Sequence, residues 1–426
     1  MSEVVELLQR LIRVDTTNPP GNETAAAELL RDYLERAGIE CELYARVPER
    51  ANLVARVRGT GDGPSLALLS HTDVVLADHS EWERHPFQAE LVDGEVWGRG
   101  ALDMKCQVAA SAVAMATLAR EGWRGGGDLV FIAAADEEVG AGFGLEWLVR
   151  EHPDAVRTDY SVNEGSGERA VLGDRAVYFC ATAEKMTSPF LLRVLGRSGH
   201  ASMPSIADNA LVKAAPLIER LGRFAAEPQL IPEVEAFFQA VLGSVPPPQA
   251  ALAAARGLSP LAGELVEPLL GMTVSPTVVR ASDKRNVIPA VCEVTLDIRL
   301  LPGQSPADAE TALLACLGEG DYELGNVSQS GGTRSAIGGP LWDAVESFVA
   351  GEEPGAAVAP VCVAGFTDSH WVRDAFGTVA YGFFPRREMD PEVAARLVHS
   401  ANERVPVADV ELGLRWLLHA ARTVCG

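Results

Sequence analysis

The sequence predicts an α/β protein whose helix-covered sheet is interrupted by a second, α+β domain. Three observations carry this. In the first part of the chain, stretches with helical periodicity alternate with short, fully apolar runs. After Asp174 the texture shifts to strand-like segments beside two helical ones, and the first texture returns from Pro340 onward. At 426 residues and 47% hydrophobic content, the chain exceeds one ordinary core, so two domains are the default expectation.

Residues 3–13 and 23–37 have helical spacing, and Asn18-Pro19-Pro20-Gly21-Asn22 between them is a turn whose Asn22 is placed to cap the second helix. Residues 52–57 and 65–70 read as strands, 104–121 as a helix of small residues, and 128–134 as a fully buried strand. Alternation of this kind argues for a sheet covered on both faces. Further on, 190–195, 278–281 and 291–300 read as strands and 208–224 and 306–317 as helices. Between them, residues 227–271 are rich in Ala and Pro but keep apolar residues throughout, so a mostly helical insertion is expected rather than a flexible linker. A helix at 341–350, strands near Val361 and Val379 and a terminal helix at 407–424 complete the first domain. The expected division is a discontinuous domain of residues 1–184 and 331–426 with residues 185–330 inserted. There is no internal repeat.

The formal net charge of -23 repels phosphate backbones and anionic headgroups, so neither nucleic acid nor a membrane surface is an expected partner. No apolar run approaches the roughly 18 residues of a membrane span. The N-terminus is acidic and amphipathic rather than a basic segment followed by an apolar one, and a cytoplasmic protein is expected. The seven cysteines are odd in number and scattered singly, which supports neither a disulfide framework nor a CxxC metal knuckle. Lysine is rare and arginine common, leaving arginine as the grip for a substrate carboxylate.

Five short motifs stand at the ends of expected strands or in the loops after them, where open α/β sheets place ligands. In Ser70-His71-Thr72-Asp73, Asp73 is placed to accept the second imidazole proton of His71 and fix its orientation. Taken alone the pair is equally compatible with a structural role. Gly98-Arg99-Gly100-Ala101-Leu102-Asp103 puts a carboxylate in a glycine-hinged loop before an apolar helix, where an N-cap is the alternative. Asp136-Glu137-Glu138 follows a buried strand. Three adjacent carboxylates repel one another there unless a cation or shared proton compensates, or unless the segment is a solvated turn. With a metal present, one glutamate serves as ligand and its neighbour as base. Glu164 follows a fourth strand-like segment, and His399 lies in a loop before the last helix. Two imidazoles and three carboxylates suit zinc, cobalt or manganese, and the odd number suggests one bridging carboxylate between two metals.

In these motifs and their order the chain resembles the dinuclear zinc hydrolases that include aminoacylase, glutamate carboxypeptidase, acetylornithine deacetylase and succinyl-diaminopimelate desuccinylase. The resemblance covers nearly the whole chain. It implies a zinc-hydrolase catalytic domain with a mixed sheet between helices, and an inserted lid that also makes a homodimer. It implies two Zn2+ per subunit, with Co2+ or Mn2+ as substitutes: His71, Asp103 and Glu164 on one, Asp103, Glu138 and His399 on the other. Glu137 is then the base that moves a proton from water to the leaving amine, with Asp73 behind His71. A cis peptide is expected at Asp103-Met104.

In the lid, Gly199-His200-Ala201 is similar to the family's glycine-histidine-alanine loop, which implies that His200 reaches a neighbouring active site and holds the oxyanion. Asn286 of Asn286-Val287-Ile288-Pro289 is implied to bind the scissile carbonyl, and Arg299 the substrate carboxylate. The loop Gly365-Phe366-Thr367-Asp368-Ser369-His370 departs from the family's Gly-Gly-Thr-Asp-Ala-Arg pattern at Phe366 and His370, with His370 a substrate contact in place of the arginine. His79, His85, His152 and His419 have no matching motif, Cys106 has no adjacent base, and Gly125-Gly126-Gly127 precedes a strand, the wrong context for phosphate. The expected substrate is a small acyl-amino acid or short peptide with a free carboxylate, cleaved by a deacylase or by a carboxypeptidase or dipeptidase. The alternative is a non-catalytic small-molecule binding paralogue, against which the intact Glu137 and full ligand set argue.

Overall fold

The computed structural model describes residues 2–173, 175–327 and 331–426. The change of texture placed at Asp174 and the boundary drawn at residue 330 therefore fall outside the described residues. The largest sheet has ten strands. Its central path runs Glu40–Ala45, Ala51–Val57, Leu129–Ala134, Leu66–His71, Tyr160–Asn163, Val379–Gly382, Arg175–Glu184. Leu66–His71 pairs in parallel with Leu129–Ala134 and with Tyr160–Asn163, while the first three strands on the path pair antiparallel, so the sheet is mixed.

Helices cover both faces, as strands with continuous apolar burial require. Glu3–Ile12, Glu23–Glu35, Lys105–Arg120 and Val407–Val424 share the larger core, and Leu145–Glu151 and Ser369–Phe376 pack on the opposite face. Lys105–Arg120 is buried almost all round, and its alanines let it lie between the sheet and the flanking helices. Its N-cap is Met104, so Asp103 is not a helix cap. Asn22 stands at an N-cap but makes no capping bond, since its side-chain amide donates instead to the Asp15 carbonyl at 3.4 Å.

The second sheet has five strands, among them Phe190–Leu195, Thr273–Arg280, Val291–Leu300 and Tyr322–Asn326, with every pairing antiparallel. Phe190, Leu192 and Val194 alternate with more exposed neighbours, so one face meets the helices Ala210–Gly222 and Pro306–Leu317.

Residues 227–271 carry the helices Pro232–Leu242, Pro248–Leu258 and Pro260–Val266. Each begins with proline, whose missing N–H costs nothing in the first turn, so these prolines start helices rather than mark a linker. By sequence this stretch lies within the insertion. In space its Phe237, Phe238 and Val266 join Phe179, Ala183 and Ala359 of the ten-stranded sheet in one apolar cluster. The buried Lys185 Nζ ties the end of the stretch down by donating to the carbonyls of Pro268 at 2.8 Å and Gly271 at 3.0 Å.

Candidate metal centre

Three neighbouring strands of the large sheet deliver the central side chains. His71 ends Leu66–His71, Glu137 and Glu138 follow Leu129–Ala134, and Glu164 follows Tyr160–Asn163. The registers place these ends together, at the carboxyl edge where open sheets bind ligands. Asp103 comes from the loop before Lys105–Arg120, with a cis peptide to Met104. His399 comes from the loop after Pro391–Leu397 and has a φ of 61°, uncommon for a residue with a side chain.

Asp103 stands between the two imidazoles. Its Oδ1 lies 3.1 Å from His71 Nε2, and its Oδ2 lies 3.2 Å from His399 Nε2. On one side Glu164 Oε1 is 3.5 Å from His71 Nε2, and on the other Glu138 Oε2 is 3.1 Å from His399 Nε2. Metal–ligand bonds of about 2.0–2.2 Å in a tetrahedral arrangement put ligand atoms about 3.3–3.6 Å apart. The observed 3.1–3.5 Å lies at the short side of this range, so cations would enter with a small outward shift of the side chains, and Glu138 Oε1 is buried without a hydrogen-bond partner among the described residues. The donor set therefore fits two divalent cations sharing Asp103.

The charges make the same point. Burial opposes a charged imidazole at His71, yet Glu164, Asp103 and Asp73 together push it well above its ordinary value. Hydrogen bonds to Asp103 and Glu138 carry His399 up to about 10. Burial, reinforced by Asp103, raises Glu164 to about 8, and burial with Glu164 beside it raises Glu137 well above the carboxylate range. Carboxyls this crowded repel one another unless a proton or a cation sits among them, so cation binding at this centre would be coupled to proton release.

Two buried networks position these side chains. His71 Nδ1 lies 3.0 Å from the Asp73 carbonyl and 3.4 Å from its carboxylate, which leaves Nε2 as the ligand atom. Asp73 also accepts from the backbone N–H groups of Glu137 and Glu138, at 3.1 and 3.2 Å, and from Asn18 at 2.8 Å. Asn18 donates to Asp136 at 3.0 Å, and Arg50 bridges Asp136 and Glu23 at 2.6 Å each. The second network centres on the fully buried Glu403, which accepts from Arg99 and from the backbone of Gly100, Leu102 and Asp103.

His200 and Asn286 are exposed neighbours in the smaller domain, where the Ala201 N–H donates to the Asn286 carbonyl at 3.0 Å. His200 Nδ1 lies 2.7 Å from the Ser202 hydroxyl, and Arg299 pairs with Asp297 on its own strand. None of the three has a hydrogen bond or ion pair to the metal cluster among the described residues. His370 is buried edge-on against Trp371, and its Nδ1 has no partner among the described residues. Sequence reasoning gave Asp368 and Glu403 no role. Both oxygens of Asp368 are buried without a hydrogen-bond partner among the described residues, and burial raises it to about 8. It acts electrostatically on Glu137 and Glu164, in a loop held by Glu184, which accepts from the Thr367 N–H and hydroxyl. The available signal was the bare Thr367-Asp368 motif. Glu403 carried none, because its partners lie about three hundred positions away.

With His71, Glu138 and Glu164 at the ends of parallel strands and Asp103 and His399 brought in by loops, the donor set suits a metal-dependent hydrolase. The chain belongs to Peptidase family M20/M25/M40, whose pattern matches residues 67–423. It is 29% identical over 425 residues to a succinyl-diaminopimelate desuccinylase of Cereibacter sphaeroides, covering 96% of this chain and 95% of that one. Its fold is similar to that of the family M20 metallo-carboxypeptidase Sso-CP2 from Sulfolobus solfataricus, with a TM-score of 0.74 at 17% identity over 100% and 99% of the two chains. It is also similar to a dinuclear metal binding peptidase of Bacillus subtilis, with a TM-score of 0.59 at 15% identity over 99% and 97%.

Proposed function

We propose that the protein hydrolyses an amide bond next to a free carboxylate, in an N-acyl-amino acid or a short peptide. The observation that carries this reading is Asp103 held between His71 and His399, with the half-buried Glu137 beside them. Two zinc ions, or cobalt or manganese in their place, would be held by His71, Asp103 and Glu164 and by Asp103, Glu138 and His399. When bound, they supply a polarised carbonyl and an acidified water. Glu137 takes a proton from the attacking water and delivers it to the leaving nitrogen, so that water and amide become acid and amine. Asp73 holds the His71 ring in its ligating tautomer.

In the same reading His200 and Asn286 donate to the developing oxyanion when the smaller domain closes, and Arg299 and His370 contact the substrate, Arg299 through its carboxylate. A homodimer through that domain is supported by Leu211 and Val212 on one helix and Val278 and Val279 on an edge strand, all exposed large apolar residues. Cytoplasmic location rests on the sequence reading alone. No helix among the described residues is long and apolar enough to cross a membrane.

The experiment is amine release from zinc- or cobalt-loaded protein with N-acetyl amino acids, N-succinyl amino acids and dipeptides, each with free and amidated carboxyl ends. Hydrolysis confined to free acids is expected. Equal rates on amidated substrates would remove the carboxylate requirement, and silence throughout would remove the activity.

A further inference from the structure

Beside the metal ligands lies a cavity of about 240 Å³ that the mechanism does not use. Its walls include the helices of residues 227–271, the strand Ala357–Val363, the helix Pro391–Leu397 and the segment Gly165–Glu168. Phe179, Phe237, Leu261, Leu265, Val361 and Val398 make it predominantly apolar. Gly165 and Val398 also line it, and they adjoin the proposed ligands Glu164 and His399 in sequence. A smaller cavity of about 190 Å³, lined by Asp103 and Glu164 themselves, shares Gly165, Ser166, Glu168, Arg386 and Val398 with it. The apolar cavity therefore abuts the smaller one across these shared residues.

We propose that this cavity is the specificity pocket of the enzyme and takes an uncharged, apolar group flanking the scissile amide. The inference rests on the amidohydrolase reading above. An apolar cavity of about 150 Å³ accommodates a benzene ring, so this one has room for about six to ten carbons. Charge excludes the alternative of an anionic group. Arg386 is the single cation in the lining among the described residues, and Glu168 already occupies its guanidinium. Glu233, also in the lining, is buried and paired with Arg334, and Glu264 adds a further carboxylate. A succinyl group, which ends in a carboxylate, finds no free cation there. Leu265 and Val398, 40% and 38% exposed, are left partly uncovered in the lining, where an apolar occupant would shield them.

The test uses the metal-loaded full chain and two substrate series: N-acylglycines from acetyl to dodecanoyl, with N-succinylglycine, and N-acetyl amino acids from alanine to phenylalanine. Each buried methylene is worth about fourfold in kcat/KM, so one series should rise steeply and level off once the cavity is full. Which series rises assigns the pocket to the acyl or the amine side. Flat dependence in both, or preference for succinyl over hexanoyl, would overturn the proposal. Leu265→Asp and Ala395→Trp, two exposed positions in the lining, should each cut the long-to-short selectivity ratio at least tenfold. An unchanged ratio in both would overturn it too. If no amide is cleaved, the amidohydrolase reading has failed on its own. Calorimetric affinity of metal-loaded Glu137→Gln protein for N-octanoylglycine and N-acetylphenylalanine, each against N-acetylglycine, then decides the pocket. Tighter binding of either supports it, and equal binding of all three excludes it.

Discussion

The backbone N–H of Asp103 donates to Glu403 Oε1 at 3.0 Å across 300 positions of the chain. The same carboxylate holds the N–H groups of Gly100 and Leu102 and the guanidinium of Arg99. One buried side chain, close in sequence to His399, thus sets the loop that presents Asp103. Glu403→Ala leaves Arg99 buried and uncompensated, a loss of about 3–5 kcal/mol. Urea unfolding should show that loss, and metal analysis after dialysis should show reduced retention. Full retention at wild-type stability would contradict the role.

Glu137→Gln should lower kcat by about 10²–10⁴ with metal content unchanged, because Glu137 is assigned to the proton and not to the cations. A variant that loses metal in parallel with activity would reassign Glu137 as a ligand.

Arg50 neutralises Glu23 and Asp136 beneath Asp73. Arg50→Met leaves two buried carboxylates without a cation and should cost about 3–5 kcal/mol. In activity assays it should act through His71, lowering metal affinity more than kcat at saturating metal.

Chelation should lower the melting temperature, since cations bind the folded centre and an unfolded chain has no such cluster. At metal one hundredfold above Kd, the stabilisation is about 2.7 kcal/mol. His399→Ala should remove much of it, and an equal chelator effect in that variant would argue against His399 as a ligand.

Burial lowers Lys185 from its ordinary 10.5 to about 8. Between those values the unfolded chain carries more protons than the folded one, so this residue makes stability rise with pH. Below about 8 the cost of burying the charged amine is fully present. Wild type should therefore gain on Lys185→Met between pH 7 and 10 in parallel denaturant titrations. A constant difference would show that the amine does not titrate there.

Much of this was legible in the sequence because local patterns carry it. Leu129–Ala134 declares itself by an unbroken apolar run and Lys105–Arg120 by its small residues, and the proposed ligands sit in short motifs at strand ends or in loops. The ten-residue strand Arg175–Glu184 escaped, since it follows the texture change and its parallel partner Ala357–Val363 lies far along the chain. The placement of residues 227–271 escaped for a related reason. Helical propensity says that Phe237 and Val266 face something apolar, and only the tertiary structure says that it is the large sheet. Glu403, Arg50 and Asp368 act through partners remote in sequence, which no local pattern records.

The adjacent residues Glu184 and Lys185 face two tasks. Glu184 fixes the Thr367-Asp368 loop beside the reacting centre, and Lys185 ties down the last of the helices that wall the cavity. Those helices supply part of the wall and, in the ligand set proposed here, none of the metal ligands. Their cavity-lining positions can therefore change without touching that ligand set, provided that Phe237, Phe238 and Val266 keep their packing on the sheet beneath.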